Sequence, residues 1–523
     1  MKNIKYYIVN ISFTCFLAVL LTSCTRDFEE INTNPDAIID VGATELPFLF
    51  SRAETQALFG TSYQTAQNLS ADQYAQYFAC VATSFPSDRY VMRPDWFNAA
   101  WNALYANTMP QLLTIFENTE PTSSEYALAN IVWVFAFHRI TDYWGPIPYF
   151  SAGTVDNSVP YDPQELIYDD FFKRLDSAVT VLQDRTSETP YGSYDIIYGG
   201  DVNKWIKFGN TLRLRLALRI SNVDPERARL EAEAAVAGGV FTTSPSDDAL
   251  LEKSLNGNDI NGLSQMSDWN EFRMSATMES ILKGYNDPRI AEYFMPVASS
   301  GSYEGLRNGL TANQLTNSAN TPNANSRVGA KWSSPAANGI ASFLTTPQNV
   351  MCTAEAYFLR AEGAVLGWNM GGSSQELYGE GIRNSMIQWE ITDEELIDDY
   401  IASTDLPVAP EDFLSSPPIT DVPVRFDPSN TSVQLEQIAI QKWLAVFPDG
   451  CEAWADNRRS RAFRFYPVAN SDNPDVTDPS TQYIRRLTFL LQEQQVNAPG
   501  VETGVQHLGG PDRIITPLWW DTH

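Results

Sequence analysis

From residue 46 to about 240, apolar residues recur at helical spacing with start signals where that spacing needs them, so a run of helices is predicted. Asp162-Pro163 with Glu165, and Asp224-Pro225-Glu226, each set an acid ahead of a proline, whose missing N–H costs nothing at the first helical position. Thr122 and Glu125 have capping-box spacing ahead of the apolar run 131–137. Segment 205–220 is ambiguous: Leu212, Leu214 and Leu216 alternate with arginines like a strand, whereas Trp205, Phe208, Leu212 and Leu216 recur like a helix. Its Ala, Leu and Arg content and its shortage of β-branched residues decide for helix. Downstream, Tyr357, Ala361, Val365 and Trp368 fall on one helical face, and 435–446 continues the pattern.

The predicted fold class is therefore mainly α. A helical scaffold occupies about 46–240, 349–400 and 433–465, with loop-rich insertions at about 241–348, 402–432 and 466–523. The insertions are rich in Ser, Asn, Gly, Thr and Pro, and loops beyond about 15 residues inside a compact chain are usually functional or disordered. Residues 46–523 are expected to form one unit.

The first residues read as an export signal. Lys2 and Lys5 precede an apolar stretch, 6–21, that holds no acid and is interrupted by Asn10, Ser12 and Thr14. A membrane span needs about 20 apolar residues. The stretch ends in Leu21-Thr22-Ser23-Cys24, which resembles a bacterial lipobox. Removal of residues 1–23 makes Cys24 the acylated N-terminus, and several acyl chains, at about 0.8 kcal/mol per buried CH₂, hold where one is marginal. Cys15 lies inside the apolar stretch, where cleavage leaves too little of it for export. Residues 24–45, with Asp27, Glu29, Glu30 and Asn-Thr-Asn-Pro at 32–35, read as an extended tether.

Charge and residue usage exclude several functions. Lys and Arg number 35 against 64 Asp and Glu, a formal net charge of −29, and no basic run of four residues occurs, which argues against nucleic acid. Besides Cys15 and Cys24 there are Cys80, Cys352 and Cys451, enough for one disulfide at most. The three histidines, His138, His507 and His523, have no ligand spacing, and neither HExxH nor CxxC occurs. His138, after Val134, Phe135 and Phe137, reads as a packed helix residue. No GxSxG elbow or GxxxxGK cradle is present, so no metal, cofactor or catalytic nucleophile is predicted. A glycosidase needs only two carboxylates about 5 to 10 Å apart, and that class stays open, as does a structural or adhesive lipoprotein.

Aromatic side chains are plentiful: 13 Trp, 23 Tyr and 27 Phe, some beside loop-type residues. Flat aromatic faces stack on sugar rings at low entropic cost. Tyr90, Trp96, Trp269 and Trp332, with Arg89 as a hydrogen-bond donor, are the candidate ligand-binding residues. Trp101, Trp133 and Trp205 lie on apolar helical faces and are predicted core.

Seven phrases in order then resemble the SusD/RagB family of outer-membrane nutrient-binding lipoproteins, in its SusD-like branch. They are the residues after Cys24 (27–36), Asp142-Tyr-Trp-Gly-Pro-Ile-Pro-Tyr149, the stretch 204–219, Asn286-Asp-Pro-Arg-Ile290, the stretch 354–363, Gln441-Lys-Trp443 with 452–459, and Leu518-Trp-Trp-Asp521. The resemblance implies a tetratricopeptide-like helical half packed on a loop-rich remainder, and no catalysis. It implies capture of oligosaccharides or peptides and delivery to a TonB-dependent transporter of the SusC type. The acids after Cys24 resemble those that send such lipoproteins to the outer face in Bacteroidetes-type bacteria. The region of Tyr90 and Trp96 resembles one that contributes to some family ligand sites.

Overall fold

A computed structural model describes residues 42–154, 158–256, 259–334 and 341–523. The export segment, Cys24 and nearly all of the tether lie outside the described residues. Helical periodicity in the first half becomes α1 (Leu46–Ala57), α2 (Pro94–Asn102), α3 (Met109–Asn118), α4 (Ser124–Trp144), α5 (Gln164–Gln183), α6 (Val202–Arg219) and α7 (Pro225–Gly238). The ambiguous segment is helical, inside α6. Two π-helical runs, Gln64–Asp72 and Ala103–Thr108, join these elements.

The start signals hold in part. Asp224 caps α7 by accepting from the Arg227 N–H, with Pro225 in the first turn. Thr122 is not the cap of α4: Ser123, one residue later, accepts from the Tyr126 N–H at 3.2 Å. Asp162 does not cap α5 either, because its carboxylate accepts instead from the N–H groups of Tyr149 and Phe150, both at 2.9 Å. It thereby fixes the chain leading into α5.

The middle of the chain holds α8 (Gly262–Met266), α9 (Ala276–Gly284), α10 (Ile290–Tyr293) and two small antiparallel ladders. In these β1 (Phe78–Cys80) pairs with β3 (Phe272–Met274), and β2 (Ala249–Leu251) with β4 (Gln348–Met351). The second half adds α11 (Thr353–Val365), α12 (Ser374–Gln388), α13 (Glu394–Ala402), α14 (Thr431–Ala445), α15 (Gly450–Ser460), α16 (Leu491–Val496) and α17 (Ala498–Leu508). Helices α9 and α17 fall in stretches read as loops. Both are short, and the Pro and Gly of Ala498-Pro499-Gly500 look like a turn although proline fits the first turn of α17.

Packing follows helix pairs: α4 on α5, α6 on α7, and α11 on both α12 and α14. Helix α4 is buried nearly all round, its Arg139 and Asp142 included. Residues 47–523 form one unit, and no helix among the described residues is long and apolar enough to cross a membrane. Trp101, Trp133, Trp205 and His138 are buried as expected, and Cys80, Cys352 and Cys451 are buried free thiols.

The seam between α6, α11, α14 and α15 is ionic rather than apolar. Arg215 on α6 reaches Glu355 on α11 at 2.6 Å, and Arg219 reaches Glu452 on α15 at 2.5 Å. Arg459 meets Glu362 at 2.7 Å, and Lys442 on α14 meets Asp456 at 3.0 Å. All eight side chains are buried. Burial alone raises the Glu452 carboxyl, but the charges of Arg219, Arg215 and Lys442 overcome it and hold Glu452 below the usual carboxylate range.

Candidate functional site

Two adjoining cavities lie at the loop-rich middle, the smaller one reaching into the helical scaffold. The larger, about 760 Å³, is lined on its apolar part by Met295, Pro296, Val297 and Phe343, and on its polar part by Asn270, Asn323, Arg327 and Ser334. The smaller, about 240 Å³, is lined by Tyr63, Arg139, Trp332, Asn349, Gln388 and Trp389, among others. Lys331 and Thr346 line both, so the chain around them is the shared wall.

Side chains holding their own backbone order this wall despite its composition. The Asn320 amide donates to the Gln314 carbonyl at 2.9 Å, and the Asn325 amide to those of Ala319 and Thr321 at 2.9 and 3.0 Å. The 326–329 stretch runs beside 293–295, where the Met295 N–H donates to the Arg327 carbonyl at 2.8 Å. The approach is so close that a Cβ on Gly329 would lie 2.0 Å from the Glu292 carbonyl oxygen, which only glycine allows.

Arg273 on β3 is anchored by acceptors without a carboxylate: Nε donates to the Pro322 carbonyl at 2.8 Å and Nη2 to Asn270 Oδ1 at 2.6 Å. Burial and the nearby Arg327 push its guanidinium down to about 10. Arg327 is paired with Asp268, yet its buried Nε has no partner.

The smaller cavity has an aromatic wall. Trp332 and Trp389 sit 5.5 Å apart, and Phe447 stands edge-on to Trp332 at 5.8 Å. Four buried polar atoms in its lining residues lack a hydrogen-bond partner: Arg139 Nε, Asn349 Oδ1, Gln388 Oε1 and Trp389 Nε1. Buried polar groups are nearly always satisfied, so two donors and two acceptors left open around one cavity mark a place where a polar ligand or water completes them.

The five residues singled out from sequence do not share one cavity. Trp332 is buried at 3% exposure and walls the smaller cavity, whereas Trp269 is 47% exposed beside Asn270, which lines the larger one. Trp96 is half-buried, edge-on to Phe85 at 5.4 Å and under the Arg93 guanidinium at 4.9 Å. Arg89 is buried, with Nε on Asp472 at 2.7 Å and Nη1 donating to the Leu310 carbonyl at 2.9 Å. Tyr90, in left-handed backbone at φ 66°, is buried edge-on to Tyr74 and lines a third, separate cavity. Sequence reasoning missed Asn349, Gln388 and Trp389; Trp389 directly follows α12 and carries no sequence signal beyond its apolar character.

The comparisons with known proteins agree with this architecture. No curated protein matches. Among solved structures, a chitin-binding SusD homologue from Flavobacterium johnsoniae superposes with a TM-score of 0.83 at 35% identity, over 91% of this chain and 99% of that one. SusD homologues from Bacteroides vulgatus and Bacteroides uniformis both superpose at 0.81 and 30% identity. They cover 91% and 92% of this chain and 97% and 100% of their own. The tetratricopeptide-like helical scaffold expected from the resemblance is the fold observed. The family described as SusD and RagB outer membrane lipoproteins matches residues 40–521, and this chain therefore belongs to the SusD/RagB family.

Proposed function

We propose that this protein is a non-catalytic, cell-surface lipoprotein, anchored through Cys24, that captures oligosaccharides and passes them to a TonB-dependent transporter of the SusC type. The observation that carries the reading is the paired cavity around Trp332, with unpartnered donors and acceptors beside an aromatic wall. Two chitin-binding neighbours support an N-acetylated sugar as cargo. An acetamido group offers one N–H and one carbonyl, which match the open acceptors Asn349 Oδ1 and Gln388 Oε1 and the open donors Trp389 Nε1 and Arg139 Nε. Trp269 and Trp332 are the proposed sugar-contacting aromatics. Trp96, with Arg93, forms a smaller accessible platform, and Arg89 and Tyr90 hold the turn that carries it.

Calorimetric titration with chitooligosaccharides, maltooligosaccharides and short peptides tests the cargo. Saturable binding of the acetylated sugars without release of reducing ends is expected; binding of peptides alone, or turnover of any glycan, overturns the reading. Co-purification of a stoichiometric outer-membrane barrel from native membranes, lost with Cys24→Ala, tests delivery.

A further inference from the structure

The third cavity, about 110 Å³, opens where α15 ends, between Tyr74 and Tyr90 on one side and the 479–484 stretch on the other. Three arginines line it, Arg458, Arg461 and Arg464, and its lining contains no Asp or Glu. In a chain with 64 acids against 35 bases, an arginine cluster without a carboxylate is the reverse of what composition favours.

Arg458 is fully buried. Its Nε donates to the Trp454 carbonyl at 3.1 Å, and its Nη1 to the carbonyls of Asp142 and Arg485 at 2.9 and 2.7 Å. The guanidinium lies 3.6 Å over the Trp454 ring, and Nη2 has no partner. Neutral carbonyls are a poor substitute for a counter-charge, and burial pushes this guanidinium down to about 10. The buried Tyr74 hydroxyl also lacks a partner. Arg461 sits in left-handed backbone at the end of α15, its guanidinium 3.9 Å over the Tyr483 ring. Neither Arg461 nor Arg464 makes an ion pair among the described residues, and Arg464 is exposed at the mouth.

We infer that this cavity is an oxyanion subsite, built to take the carboxylate of an acidic sugar through Arg458 Nη2, the Tyr74 hydroxyl and the two guanidinia at its mouth. Guanidinium forks match a planar carboxylate, and such charge-assisted bonds are about twice as strong as neutral ones. The volume holds the acid group, while the sugar ring stays at the mouth beside Arg464 and Thr481. The sugar as carrier of the acid rests on the oligosaccharide reading above; the oxyanion chemistry does not.

The test compares galacturonate oligosaccharides, chitooligosaccharides and inorganic phosphate in titrations of the intact protein at low and high salt. Galacturonate is expected to bind and to weaken with salt, and Arg461→Ala and Arg464→Ala each to weaken it about tenfold. Both variants should keep the parent's melting temperature and its affinity for chitooligosaccharides. Galacturonate binding in the absence of any chitooligosaccharide binding supports this subsite while overturning the Trp332 reading. Phosphate binding that the two variants abolish, with no uronate binding, overturns the acidic sugar as ligand. Uronate affinity unchanged in both variants, or insensitive to salt, overturns the subsite itself.

Discussion

Two groups of buried arginines divide this molecule. Along the helical seam Arg215, Arg219 and Arg459 each face a carboxylate within 2.6 Å. Beside the cavities Arg273, on β3, and Arg458, on α15, are as deeply buried, yet their partners are neutral acceptors, mostly backbone carbonyls. A buried charge needs an opposite charge or a full set of hydrogen bonds. The seam supplies it from within and is thereby structural. At Arg273 and Arg458 no carboxylate supplies it from within, and at Arg458 Nη2 the proposed ligand would. On this contrast, side chains of the seam govern stability and those of the cavities govern binding.

The largest expected effect breaks the seam. Glu452 sits 2.5 Å from Arg219, 3.5 Å from Arg215 and 3.6 Å from Lys442, so Glu452→Gln leaves three buried cations short of a counter-charge. A loss of about 3 to 5 kcal/mol in urea unfolding is expected. Arg461→Ala at the third cavity should change the same quantity by less than about 0.5 kcal/mol. Equal losses in the two variants would erase the contrast. Next, Trp332→Ala removes a buried indole packed on Trp389 and Phe447, and about 3 kcal/mol of stability with it. Trp332 is therefore a cavity side chain that also carries stability, and its variant should lose ligand and stability together.

How far the sequence reveals this division depends on the kind of residue. The apolar faces of α4 and α6 are readable because burial and helical period coincide in them. The seam is not readable: in Leu212-Arg213-Leu214-Arg215-Leu216 nothing marks Arg215 as fully buried and Arg213 as partly exposed. Likewise the face of Tyr357, Ala361, Val365 and Trp368 looks like the core of α11, yet only Ala361 on it is buried and the other three are partly exposed, while Glu355 and Glu362 point inward. Hydropathy assigns charges to solvent, and only the opposite charges on α6 and α15, far away in the chain, reverse that. The proposed ligand residues are obscured for a related reason. Trp269 and Trp332 share a loop-type context, but one is exposed and the other is wall, and Asn349 and Gln388 matter only through bonds they fail to make.

A pH experiment sharpens the seam. His138 is buried with its Nε2 3.5 Å from Arg215, and burial, then the charges of Arg215, Arg139 and Arg219, hold its imidazole well below the usual value. The folded state thus binds fewer protons than the unfolded chain below about pH 6.5, and stability falls there as pH falls, by up to about 1.4 kcal/mol per unit. Burial raises Asp72 to about 7, which acts in the opposite direction: its share of stability is lost as pH rises toward neutrality. Comparing the parent with His138→Gln cancels the Asp72 contribution. The variant should gain on the parent steadily from pH 6.5 to 5, and a constant difference would mean that His138 is protonated in the fold.

The smallest expected change in stability comes from Trp269→Ala. This indole is 47% exposed next to Asn270, whose αL backbone at φ 58° turns the chain into β3 and the larger cavity. An exposed side chain away from caps and ion pairs contributes within about 0.5 kcal/mol, so the melting temperature should stay nearly where it is. Stacking on a sugar ring would add affinity that the fold does not use, and its loss should weaken chitooligosaccharide binding by about two- to tenfold, in line with about 0.5 to 1.5 kcal/mol for an aromatic contact beyond its area. Trp269→Phe retains a flat face and should recover part of the affinity. If Trp269→Ala binds as the parent does while Trp332→Ala does not, the sugar lies wholly within the smaller cavity, and the exposed indole faces a macromolecular partner instead.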